Sequence, residues 1–185
     1  MKKQLLSEEF RRMQVLAGLI TENQLNEKEN LSPEQAVEKV MPLVSKLEDN
    51  PELDKLAQKI ANDSNLMAQL EKALAKGGIQ ANINEAENEL DSTDMKTLMM
   101  NFAKKTDQIQ ERISNDADSD TSSAGLGMAS VVVGGAIGAG LKSALIAAGV
   151  GATSLFAGPA VVGAAIGLGL FLLARKVYLL ANPDA

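Results

Sequence analysis

From Gly125 to Ala174 the chain carries one charged side chain, Lys142, and from Ser143 to Ala174 it runs 32 residues without any. The full stretch to Ala181 reads GLGMASVVVGGAIGAGLKSALIAAGVGATSLFAGPAVVGAAIGLGLFLLARKVYLLA. A helix needs ~20 mostly apolar residues to cross a bilayer. Two passes therefore fit only if the first uses residues before Lys142. Twelve of the 15 glycines fall in this stretch, many spaced four apart. Glycine costs a lone soluble helix about 1 kcal/mol per residue, but it lets two helices in lipid approach closely. The pattern predicts an all-α chain: small amphipathic helices, then a C-terminal two-helix transmembrane hairpin over 125–185.

The first span is expected near Gly127–Val150 and the second near Pro159–Leu180, with Gly151, Gly158 and Pro159 breaking the helix between them. Gly134-Gly138 and Gly163-Gly167 are small-xxx-small pairs, and Gly135, Ala139, Ser143, Ala147 and Gly151 extend a row of small residues four apart. Gly134, Gly135, Gly138, Ala139, Gly163 and Gly167 are thus the expected helix-packing residues. Leu168, Leu170, Phe171, Leu172 and Leu173 give the second span a bulky face suited to lipid. Arg175, Lys176 and Tyr178 fall where that span would leave the hydrocarbon and read as interfacial anchors. Their positive charge places the C-terminal end in the cytoplasm, with the N-terminal region on the same side of a two-pass protein. Lys142 is an intramembrane charge costing ~3 kcal/mol at mid-span. It would face a pore or a partner carboxylate, or snorkel to an interface.

Upstream the chain is polar and acidic. Residues 1–124 hold 15 Lys/Arg against 23 Asp/Glu, a net of −8, while residues 125–185 sum to +2. The acidic part argues against nucleic acid, which needs a basic face, and equally disfavours its lying flat on an anionic lipid surface. The absence of cysteine and histidine removes disulfides, thiolate or imidazole metal sites, Cys nucleophiles and every Ser-His-Asp arrangement. MKKQLLSEEFRRM has no apolar core of a signal peptide.

Four domain-scale segments follow: an N-terminal amphipathic helix and linker (1–31), a soluble helical region (32–114), an acidic flexible linker (115–124) and the hydrophobic hairpin (125–185). Ser7 can cap a helix over Glu8–Glu22 with Phe10, Met13, Leu16, Ala17, Leu19 and Ile20 on one face. Ser32-Pro33-Glu34-Gln35 is a capping-box start, followed by a stripe of Ala36, Val37, Val40, Val44 and Leu47 that Pro42 must kink. Asn50-Pro51 opens a helix with Leu53, Leu56, Ala57 and Ile60. Asp63 or Ser64 opens another with Leu66, Met67, Leu70, Ala73 and Leu74, closed by Gly77-Gly78. Residues 79–91 read as loop. Thr93 is expected to cap a helix over 94–114 with Met95, Leu98, Met99, Phe102, Ile109 and Ile113, interrupted by Lys104 and Lys105.

No enzyme is expected. Asp116, Asp118 and Asp120 mimic the opening of a calcium loop, but Thr121 stands where its glycine belongs and Gly127 where its glutamate belongs. Lys142-Ser143 lacks the preceding glycine of a phosphate loop. Glu8/Glu9 and Glu85/Glu87/Glu89 have nothing apolar around them to shift their pKa values. No cofactor, metal or small-molecule substrate is expected.

SEEFRRMQVLAGLITENQLNE (Ser7–Glu27) resembles a short element of marine bacteriophage proteins, in which variants of RMQ-LAG-I-E recur near the N-terminus. Gly125–Ala181 is similar to the glycine-zipper hairpins of phage and bacterial membrane proteins. The resemblances imply a phage virion component acting in membrane passage, located in a virion or a bacterial inner membrane. Its expected partners are the lipid bilayer and either further copies of itself or other virion or membrane proteins. Two alternatives stand beside it: a pore-forming or holin-like lysis protein, and a membrane anchor for a helical protein-binding module. Membrane association can be constitutive, or it can follow release from a soluble form in which amphipathic helices wrap the apolar ones, as in pore-forming toxins. The third possibility is a permanently soluble bundle.

Overall fold

The computed structural model describes residues 31–83, 90–115, 133–149 and 158–183, and these are helical with no strand among them. Helix α1 (Pro33–Val40) starts as its sequence dictates. Ser32 Oγ accepts from the Gln35 amide at 3.3 Å, and Gln35 Oε1 accepts from the Ser32 amide at 2.9 Å. Pro42 then tightens the chain into a 3₁₀ turn, Met41–Leu43, before α2 (Val44–Glu48). Ala36, Val40 and Leu47 from this segment are fully buried.

Asn50 caps α3 (Pro51–Ala61), its Oδ1 accepting from the Glu52 amide. Asp63 caps α4 (Ser64–Lys76), accepting from Asn65 and Leu66. The stripes expected on α3 and α4 are the buried ones: Leu53, Leu56, Ala57 and Ile60, then Leu66, Met67, Leu70, Ala73 and Leu74. Helix α4 ends in a Schellman motif, in which Gly78 takes φ +90° and the Ile79 amide reaches back to Leu74 O at 3.0 Å.

Helix α5 (Ser92–Asn115) begins earlier than Thr93 predicts. Asp91 is the cap, its Oδ1 accepting from the Thr93 and Asp94 amides at 2.6 and 2.9 Å, while Asp94 Oδ2 accepts from the Asp91 amide. A carboxylate offers the first turn two acceptor oxygens and complements the helix dipole, so it outcompetes a hydroxyl two residues later. These hydrogen bonds, that from Asp94 above all, hold the Asp91 carboxyl below its ordinary pKa. A depressed folded pKa means a contribution present above the unfolded value of about 3.9 and lost as pH falls through the folded one. Wild type should therefore lose thermal stability more steeply than Asp91→Asn between pH 5 and pH 2, a window running from about one unit above that pKa to about two below it. Parallel melting curves across that range would count against it.

Helix α6 (Gly135–Ala147) and α7 (Pro159–Ala181) complete the order. Of the expected first span, Gly127–Val150, residues 127–132 and 150 lie outside the described residues, and the described part holds a helix of 13 residues, about 20 Å long against the ~30 Å of a bilayer core. Gly134 and Gly135, with φ +86° and +57°, set its start; Gly149, at +87°, ends it two residues before the expected break at Gly151. The bounds of α7 agree closely with those expected for the second apolar helix, 23 residues from Pro159 at the first helical position.

The helices share one hydrophobic core, running from Ala36 to Tyr178 without separation between the helical region and the apolar C-terminal part. Helix α7 lies at its centre and contacts α1 through α6, each in turn. The expected N-terminal helix (8–22), most of the linker (116–124), the hairpin connection (151–157), and the carboxylate groups Glu8/Glu9, Glu85/Glu87/Glu89 and Asp116/Asp118/Asp120 lie outside the described residues, as do the side chains of Ile109 and Ile113.

Candidate membrane-inserting helix and its sheath

Helix α7 is buried on every side. Each residue from Ala160 to Ala174 is buried, as are Val177 and Tyr178. An amphipathic helix buries a stripe; one that is apolar all round must lie inside protein or lipid. At 23 residues it is about 34 Å long, enough to cross a bilayer, although the core helix of a soluble protein meets the same test of length and composition. Leu168, Leu170, Phe171, Leu172 and Leu173, the expected lipid face, are 4% exposed or less. In this structure they face protein.

Gly163 and Gly167 do pack a helix, but the partner is α5 rather than the first apolar helix. A Cβ on Gly167 would stand 2.6 Å from Leu98 O and 2.7 Å from Met99 Cα. A Cβ on Gly163 would overlap Thr106 Oγ1 and the Phe102 carbonyl. At both positions the α5 backbone thus occupies the space a Cβ would need. Thr106 sits fully buried in that seam, its Oγ1 2.8 Å from Pro159 O, 2.9 Å from Phe102 O and 3.0 Å from Ala103 O, so one hydroxyl proton has three carbonyls to serve. Thr106 escaped the sequence reading because a threonine counts against an apolar stripe.

The other small residues are placed differently. Gly134 has open space around its missing Cβ and lies outside α6; Gly135 faces the end of Gln69; Gly138 is buried and Ala139 exposed. Lys142 is half-buried on α6, in a position from which a lysine stem reaches water. Helix α6 is anchored instead by buried Asn50, whose Nδ2 donates to Ala144 O at 2.9 Å while its Oδ1 caps α3. One side chain thus joins two helices, and no periodicity could have announced it.

The expected interfacial anchors are tied to the sheath. Arg175 Nη1 lies 3.5 Å from Glu48 Oε1 on α2, and Lys176 Nζ lies 2.5 Å from Asp54 Oδ1 on α3. Tyr178 is 5% exposed. The sheath is braced against itself as well. Asn101 Nδ2 donates to Gly77 O at 2.7 Å, and Lys105 donates to Lys76 O with its ammonium 5.8 Å from the Phe102 ring centre. Helix α5 is thereby locked to the C-terminal end of α4.

No family model, curated protein or solved structure matches the chain.

Proposed function

We propose that the chain is a non-enzymatic, membrane-inserting interaction protein that carries its bilayer-length helix inside a sheath of amphipathic helices and yields it to lipid. The observation that carries this reading is α7 itself. It is uncharged from Gly158 to Ala174, long enough to cross a membrane, and in contact with the six other described α-helices. Sheathed helices of this kind leave water only when the sheath opens. In lipid, α6 and the apolar residues around it would pair with α7 as the second arm of a hairpin, and the vacated Gly163-Gly167 face would be free for other helices, copies of the chain included. The resemblance of Ser7–Glu27 to marine phage proteins supports a virion setting, in which such insertion would serve membrane passage.

A second reading is a permanently soluble interaction protein with α7 as its core. The fit of Gly163 and Gly167 to the α5 backbone favours it, because that fit stabilises the closed form. Flotation of the full chain with liposomes separates the two, with release of a trapped dye read in parallel. Insertion predicts that the protein floats with the vesicles and resists extraction by high salt. Dye release would assign it to the pore-forming class, and flotation without release to the anchors. A chain that stays at the bottom of the gradient establishes the second reading.

A further inference from the structure

Among the described residues, α7 emerges furthest from the sheath at its C-terminal end. Beyond Ala174, Arg175 is exposed, Lys176 half-buried, and Leu179 and Leu180 are 52% and 49% exposed. Arg175 and Lys176 are the charged residues of α7, and both are held by carboxylates of the covering helices, Glu48 on α2 and Asp54 on α3. Along Ala160–Ala174 α7 is gripped by apolar packing, with Thr106 Oγ1 donating to Pro159 O at its start. Here Val177 and Tyr178 are still buried, but the two ion pairs are added, with Asn182 Nδ2 donating to Ile83 O at 3.3 Å.

We propose that this end is an electrostatic latch opened by an anionic bilayer surface: Arg175 and Lys176 exchange Glu48 and Asp54 for lipid phosphates while Leu179 and Leu180 enter the interface. The inference rests on α7 being an inserting helix and names the surface that releases it.

Three features of the site fit this partner. The first is the direction of the forces. A negative surface attracts Arg175 and Lys176 and repels Glu48 and Asp54, so a single field pulls the two halves of each pair apart. The second is that the exchange uncovers no buried charge. The Arg175 and Glu48 side chains are 48% and 46% exposed, and those of Lys176 and Asp54 are 25% and 50%. Pairs this wet are weak and screened by salt, and together hold the closed form by on the order of tenfold. The third is the neighbouring apolar pair. Two half-exposed leucines beside two cations make the amphipathic tip that binds an anionic interface by burial and charge together. A neutral surface would supply only the first.

The test uses the full chain with vesicles of phosphatidylcholine alone or mixed with phosphatidylglycerol. Tyr178, the one tyrosine of a chain without tryptophan, is buried at this end and reports its opening by quenching. Wild type should bind the anionic vesicles on the order of tenfold better, with Tyr178 becoming accessible; inorganic phosphate alone should leave Tyr178 protected. Glu48→Gln with Asp54→Asn frees the cations, so binding to both vesicle types should rise about three- to tenfold with the preference kept. Arg175→Gln with Lys176→Gln also breaks the pairs but removes the attraction, so the preference should vanish. All four side chains reach water, and helical circular dichroism without lipid checks that each variant is folded. Raised salt on wild type, which needs no substitution, should weaken the anionic preference. A preference that survives Arg175→Gln/Lys176→Gln, or a Glu48→Gln/Asp54→Asn chain that binds as wild type does, overturns the latch. Equal binding of every chain to both vesicle types overturns the latch and leaves insertion standing. No binding by any chain to either overturns both.

Discussion

Gly163→Ala is expected to lower the unfolding free energy by about 2–3 kcal/mol, even though alanine is the better helix former. The added methyl gains about 1 kcal/mol of helix propensity, yet it must occupy space held by the Phe102 carbonyl and the Thr106 hydroxyl. Neither can turn aside. One is backbone inside α5, and the other bridges the two helices to Pro159 O. Relief requires the helices to separate, which loosens the contacts along the whole seam. In a chain of this length each kcal/mol is worth about 2–4 °C in Tm, so the melting point should fall by about 4–12 °C. Gly169→Ala supplies the matched control on the same helix. Its nearest neighbour is Leu141 Cδ1 at 2.6 Å, the movable end of a side chain, so its stability should stay within about 1 kcal/mol of wild type. Thermal unfolding followed by circular dichroism in water, without lipid, decides the matter. If Gly163→Ala melts with wild type, α5 does not lie against that face in solution, and the glycines must serve another helix.

The contrast between these glycines shows what the sequence could and could not reveal. Capping residues and stripes are local, so the three short helices expected between Pro33 and Lys76 were legible nearly residue by residue, with the glycines after Lys76; the first of them is split in two by the turn at Pro42. The limits of α7 were legible for the same reason: Pro159 starts it and no helix breaker follows until its end. Its surroundings were not. When every face of a helix is apolar, periodicity carries no information on what covers it, and lipid and protein core place the same demand on its composition. The answer lay in the covering helices, and above all in α5, whose stripe looked thin because Lys104 and Lys105 interrupt it. On the folded helix Lys104 is exposed and Lys105 reaches the end of α4. Thr106 is buried with its hydroxyl satisfied, and Leu98, Met99, Phe102 and Ala103 form an unbroken contact. The small-xxx-small pair on α7 was visible as a close-packing face, but its partner was a tertiary fact. The same holds for Arg175 and Lys176, whose charges mark a helix end in sequence whether phosphates or carboxylates await them.

Phe102→Ala carries the argument from stability to function. The ring is fully buried, with its edge 2.8 Å from where a Cβ on Gly77, at the end of α4, would stand, and truncating such a ring costs about 3–5 kcal/mol. Both readings of the chain predict this loss, together with a lower melting point. They part over where the loosened chain goes. If the sheath exists to yield α7 to lipid, weakening it shifts the closed–open equilibrium. At tenfold per 1.4 kcal/mol, 3 kcal/mol raises the open fraction on the order of 100-fold. Binding to vesicles at limiting lipid should then rise until it saturates, even as the protein becomes less stable in water. If α7 is only a core helix, the same substitution leaves it without a destination. The protein should then unfold and aggregate at a lower temperature, with vesicles neither rescuing it nor recruiting it. Flotation and melting measured on one preparation of Phe102→Ala thus distinguish destabilisation that promotes insertion from destabilisation that merely damages. A fall in Tm without any gain in vesicle binding would remove the main support for a helix stored for the membrane.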